Sequence, residues 1–242
     1  MDRVIYLAMA GAKATMQRQD VLAHNLANAS TTGFRAEMTA FRAVPVLGDG
    51  ASTRVYAIES TPGYNPEPGP VAATGRNLDV AMKGNAWLAV QGADGTEAYT
   101  RNGALDVNNE GLLVTRTGQT VMGDGGPITL PPQAQVLIGA DGTITATVGN
   151  GRPQGVGKLK LVTPEAPLQR GEDGLFRAAD GADLEADATA RVQTEALEGS
   201  NVSPVESMVA MISAARQFEQ QMKMLQTSQE REQSATRLLS NS

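Results

Sequence analysis

The sequence predicts a mainly β protein with an α-helix at each end, and three observations predict it. Apolar residues recur in alternating steps of three and four near both termini. Short apolar runs punctuated by Gly, Asp and Asn fill the middle. A Pro- and Gly-rich stretch separates the first helical pattern from those runs. The expected architecture is an N-terminal helical segment (1–34), an extended linker (35–76), a central all-β domain (77–197) and a C-terminal helical segment (198–242). The two helices should form a coiled-coil-like α domain.

The first helix rests on Ile5, Met9, Ala12, Met16, Gln19, Ala23 and Leu26, a narrow stripe with coiled-coil spacing. The stretch Asn25–Thr32 (NLANASTT) should end it, because Asn, Ser and Thr side chains compete for backbone hydrogen bonds. Gly33 then accepts a left-handed conformation, and Phe34 anchors the exit.

Pro45, Pro62, Pro66, Pro68 and Pro70, with Gly48, Gly50, Gly63 and Gly69, favour an irregular extended path. Strands are expected at Leu78–Met82, Ala86–Val90, Leu112–Val114, Val121–Met122, Ile128–Leu130, Val136–Ile138 and Ile144–Val148. Further strands should follow at Leu159–Val162 and Leu175–Arg177, with the domain closing near Arg191–Leu197. Ser203-Pro204-Val205-Glu206 then announces a helix: Ser as cap, Pro in the first turn and Glu three residues on. Its stripe runs Met208, Met211, Ala215, Phe218, Met222 and Leu225.

Composition narrows the function. The chain has 242 residues, with 26 acidic against 20 basic side chains and a net charge of −6. No Lys/Arg block stands out, which argues against nucleic acid and against an anionic membrane surface. With no Cys, disulfides, thiolate metal sites and cysteine nucleophiles are excluded. The single His, His24, sits at a helix end without a recognisable Ser or acid partner, so it reads as a surface or interface residue rather than a base. Gly123-Asp124-Gly125-Gly126-Pro127 lacks the Lys-Ser/Thr of a phosphate loop and reads as a turn. Asp141-Gly142 and Asp180-Gly181 read as hairpin signals before calcium ligands, and Trp87 reads as core. Asp79 reads as a carboxylate holding a turn. No enzyme activity, cofactor, metal or small-molecule substrate is expected.

The opening MDRVIYLAMA is not read as a cleaved signal, since Asp2 offsets Arg3 and the helical pattern continues past Lys13. No later apolar run approaches the ~18 residues of a membrane span.

Each larger stripe residue contributes roughly 1.5–3 kcal/mol on burial. Ordering each backbone residue costs roughly 1–2 kcal/mol, offset only in part by hydrogen bonds. One helix pair with so few large residues is marginal by itself, and packing among several chains would bury the remainder. An ordinary helical hairpin within one chain is the alternative.

Several motifs together carry a family resemblance. Asn25-Leu26-Ala27-Asn28 with Thr32-Gly33-Phe34 resembles the N-terminal signature of bacterial flagellar rod and hook proteins. Leu197-Glu198-Gly199-Ser200-Asn201-Val202, with Glu206 and Arg216-Gln217-Phe218-Glu219, resembles their C-terminal one. Leu78-Asp79-Val80-Ala81 and Tyr99-Thr100-Arg101-Asn102-Gly103 resemble their central module, so the likeness spans the chain. Within the family, Met1–Tyr6 and Val202–Glu206 are most similar to the proximal rod members, with the distal rod member as the alternative. A secreted β binding module oligomerised by its helices is the rival from another class.

The resemblance implies a structural subunit of the periplasmic rod. It would leave the cell through the flagellar export apparatus, partner other rod and hook-family proteins and self-assemble through its terminal helices. The implied assembly interface comprises Ile5, Met9, Met16, Asn25, Leu26, Asn28 and Phe34 with Met208, Met211, Ile212, Phe218, Met222 and Leu225. The polar turn after the first helix would contact neighbouring subunits.

Overall fold

A computed structural model describes residues 2–45, 55–149 and 151–240. Met1 and the linker glycines Gly48 and Gly50 lie outside the described residues. The protein is mainly β, with one helix near each end. It divides into two compact units: Met1–Ala29 with Ala36–Asn65 and Val202–Ser242, and Ser30–Arg35 with Pro66–Asn201.

The first unit contains α1 (Asp2–Ala27), α2 (Pro204–Ser240) and an antiparallel pair, β1 (Glu37–Pro45) and β2 (Val55–Tyr64). α1 packs along α2 and also against both strands. The expected irregular linker is thus largely a β-ladder, in register from Glu37 opposite Tyr64 to Pro45 opposite Val55, with an irregularity between Met38 and Ala40. Alternating residues such as Met38, Thr39, Ala40 and Arg42 permit this pairing, and a two-stranded ribbon tolerates Pro at its margins. α2 starts at Pro204 as its signals require, and the Ser203 hydroxyl accepts the Glu206 N–H at 3.4 Å. Among the described residues, no helix is long and apolar enough to cross a membrane.

The second unit is built from short antiparallel strands. Its largest sheet centres on Trp87–Gln91, flanked by Glu97–Thr100 and Thr120–Gly123. A separate three-stranded sheet joins Ala134–Ile138, Thr143–Val148 and Gln154–Lys158. Their inward side chains form one core that includes Val80, Leu88, Val90, Leu105, Leu113, Val121, Ile144 and Leu161. Trp87 is buried as expected, its ring 4.7 Å from that of Phe176. The expected strand at Ile128–Leu130 is reduced to a bridge between Thr129 and Leu112.

One turn chemistry recurs through this unit. In residues 92–96, 108–112, 115–119, 139–143 and 171–175, the first N–H donates to the fifth carbonyl, and the fourth residue, a Gly, donates back to the first. These bonds span 2.8–3.1 Å, and each fourth Gly has a positive φ between 76° and 93°. This is the three-residue hairpin loop whose left-handed position needs Gly. In three of the turns an Asp at the third position (Asp94, Asp141, Asp173) accepts the fifth N–H. Side-chain bonds from Thr96, Thr143 and Arg177, together with these backbone bonds, hold the three carboxyls below their usual range. Of the Asp-Gly pairs read as hairpin signals, Asp141-Gly142 closes a hairpin, whereas Asp180-Gly181 forms a turn between strands that do not pair with each other.

Candidate assembly faces and a buried junction

The two helical stripes are each half buried and half exposed. On α1, Ile5, Ala12, Gln19 and Leu26 are shielded, whereas Met9 and Met16 are 54% and 56% exposed and Ala23 is exposed. The positions one residue earlier, Ala8, Thr15 and Leu22, complete the shielded face. α2 repeats the pattern. Met211, Phe218 and Leu225 are partly buried; Met208 and Met222 are exposed, and Ser207, Ala214 and Gln221 turn inward instead.

Both helices are therefore rotated by one residue from the stripe that the apolar pattern marks. The reason is size. Ala8, Ala12, Ala214 and Ser207 let the helices approach closely, and a Cβ built on Gly11 would lie 3.1 Å from the Gln221 side chain. Methionine at those positions would hold the axes apart.

The rotation leaves an apolar outer face. On α1 it carries Tyr6, Met9 and Met16. On α2 it carries Val205, Met208, Val209 and Ile212, spaced i, i+3, i+4 and i+7, all more than half exposed. At 100° per residue, this α2 stripe lies opposite Ser207, Ala214 and Phe218.

Asn25, Asn28 and Phe34, expected at the assembly interface, each make contacts within the chain. Asn25 is buried, and its amide pairs both ways with the backbone of Glu37 at 2.8 and 2.9 Å. Asn28 donates to the His24 carbonyl, capping the end of α1. His24 is exposed, with Nδ1 2.9 Å from the Glu37 carboxylate. Phe34 is 5% exposed. Asn25 and Phe34 are thus committed within the chain.

In the second unit, the signature segments meet at a buried ion cluster. Glu198 receives Arg35 at 2.7 Å on one oxygen and Arg101 on the other, and all three side chains are at most 2% exposed. Arg101 also donates to the carbonyls of Met82, Gly84 and Ala86, and Arg35 donates to that of Glu67. The Gly69 N–H adds a further bond to Glu198 at 3.1 Å. Every charge is paired and hydrogen-bonded, the condition under which burial is tolerated.

Backbone bonds from Gly33 to the Glu198 carbonyl (2.8 Å) and from Asn201 to that of Phe34 (3.3 Å) knit the same segments together. Gly33 has φ 69°, and a Cβ there would lie 2.3 Å from the Arg101 backbone. At Gly103 a Cβ would sit 1.7 Å from the Val80 carbonyl oxygen. Any side chain at either position would separate the segments.

Arg170 completes the junction, stacking over the Phe34 ring at 4.3 Å and the Phe176 ring at 5.3 Å. Arg101 and Glu198 lie inside the family-like motifs with no role evident from the sequence, and nothing local marks Arg35 or Arg170. A charged residue flanked by small and apolar ones, as in Leu197-Glu198-Gly199, was the available signal.

Comparison with known proteins fits this arrangement. Three family descriptions match in chain order: "Flagella basal body rod protein" over residues 5–35, "Flagellar hook protein FlgE/F/G D1 domain" over 81–146, and "Flagellar basal body rod FlgEFG protein C-terminal" over 193–238. The chain belongs to the flagellar basal-body rod proteins, a class of structural subunits. Among its relatives, the flagellar basal-body rod protein FlgF of Salmonella typhimurium is 49% identical over the whole of both chains, and that of Escherichia coli 48%. The FlgG rod protein of Agrobacterium fabrum is 32% identical over 94% of this chain and 96% of its own.

Proposed function

We propose that the chain is a proximal rod subunit that self-assembles through the outer faces of α1 and α2 and helps transmit torque along the axial tube. Its partners are other rod and hook-family proteins. The observation carrying this reading is the exposed stripe Val205, Met208, Val209 and Ile212, opposite a face already packed on α1. A helix apolar on two opposite sides needs a second covering layer. Export through the flagellar apparatus without a cleaved signal, and residence in the periplasmic rod, complete the proposal. It is supported by the higher full-length identity to FlgF relatives (49% and 48%) than to the FlgG relative (32%).

The test is Ile212→Asp, a change on the exposed stripe. Basal bodies isolated from cells carrying only this variant should lack a complete rod, while the purified variant keeps its circular dichroism. Normal rods would refute assembly through this face.

A further inference from the structure

We infer that the dipeptide Phe34-Arg35 is the pin of a two-jaw clamp, gripped on one side by charge and on the other by π-stacking, and that the two jaws release together. The charged jaw is the Glu198 carboxylate, which holds Arg35 and is itself held by Arg101. The stacking jaw is Arg170 over Phe34, backed by Phe176, whose ring meets Trp87. Arg101 lies 5.9 Å from the Trp87 ring, so the two jaws meet again at their far ends. The result is a closed circuit within the second unit.

Successive side chains in non-helical backbone point to opposite sides, so the Phe34 ring and the Arg35 guanidinium are captured by different partners. Arg170 also donates to the Arg35 carbonyl at 3.2 Å, tying the stacking jaw to the charged half of the pin. Loss of either jaw leaves the other holding a segment free to swing. A buried carboxylate or guanidinium whose partner withdraws is strongly disfavoured, and that penalty couples the jaws.

Amide exchange tests this on the full chain. The reporters are the Gly33 and Asn201 amides, bonded to the Glu198 and Phe34 carbonyls, with the Ala89 amide, bonded to Lys160, as a core reference. Glu198→Gln and Arg170→Met should each speed exchange at Gly33 and Asn201 by at least about tenfold, leaving Ala89 unchanged. The double variant should exchange no faster than the faster single one, because each jaw holds the pin only while the other does. Unchanged reporters in the single variants would overturn the clamp, and a double-variant factor equal to the product would overturn the coupling of the jaws. If Glu198→Gln also strips protection from Ala89, Arg170→Met alone decides. Selective exchange at Gly33 and Asn201 upholds the clamp, and uniform or absent change overturns it.

Discussion

The helical unit and the strand unit bury opposite kinds of side chain. In the strand unit the most enclosed residues are large: Trp87, Leu88, Leu105, Leu113, Ile144 and Leu161 are at most 2% exposed. In the helical unit the buried apolar residues, among those described, are Ala8, Ala12, Val202 and Ala214, while Met9, Met16, Met208, Val209 and Ile212 stay more than half exposed. Burial contributes in proportion to apolar area, so the first kind of packing completes a domain and the second does not. The difference teaches which unit is finished within the chain. The strand unit encloses its large apolar side chains, whereas the helices leave several of theirs in solvent, on the faces proposed above for assembly.

The largest expected effect strikes the finished core. Leu113→Ala should destabilise the strand unit by about 2–5 kcal/mol, read as a lower urea midpoint at unchanged slope. A cost within the error of the midpoint would mean this core is no better packed than the helices. Next comes Ala214→Leu, which forces a large side chain into the close helix contact. It should destabilise the helical unit by about 1–3 kcal/mol, measured by thermal loss of helical circular dichroism. A stabilised variant would show that the small residues do not set the helix approach.

Ile212→Ser should be smaller still for the purified chain, within about 0.5 kcal/mol, although it touches the face proposed for assembly. A loss as large as that of Ala214→Leu would place Ile212 in the internal packing and erase the contrast between the two units.

The smallest effect concerns a turn. Hydrogen bonds from the Thr163 hydroxyl, the Thr189 hydroxyl and the Thr189 N–H pull the Asp187 carboxyl down to about 2. Because the folded value is depressed, its stabilisation is present above the ordinary carboxylate range near ~3.9 and is lost as pH falls through about 2. Thr163→Ala should raise the midpoint seen in the carboxyl carbon shift of Asp187. An unmoved midpoint would show that the Thr189 bonds suffice.

Much of this architecture was legible in the residues. Asn25–Thr32 ends α1 because those side chains engage nearby backbone, as Asn28 does with His24. Gly142 marks a hairpin because the turn demands a positive φ. Other features were hidden. The β1–β2 ladder lies where Pro and Gly suggested an irregular path, since two-stranded pairing depends on a partner segment that local composition does not reveal. Arg35, Arg101 and Glu198 are charged residues that surface statistics place in solvent, and their burial follows from mutual pairing across distant segments.

The sequence alone determined that a helix lies near each end, where α1 stops, where α2 starts, and that Asp141-Gly142 closes a hairpin, because such choices rest on local periodicity and allowed dihedrals. Tertiary structure decided which half of each apolar stripe turns inward. A seven-residue spacing admits Ala8 or Met9 and Ser207 or Met208 equally well, and only the distance between two paired axes selects the smaller set. The junction at Glu198 was decided in the same way, because a buried charge is tolerated only where the finished fold brings its partners within bonding distance.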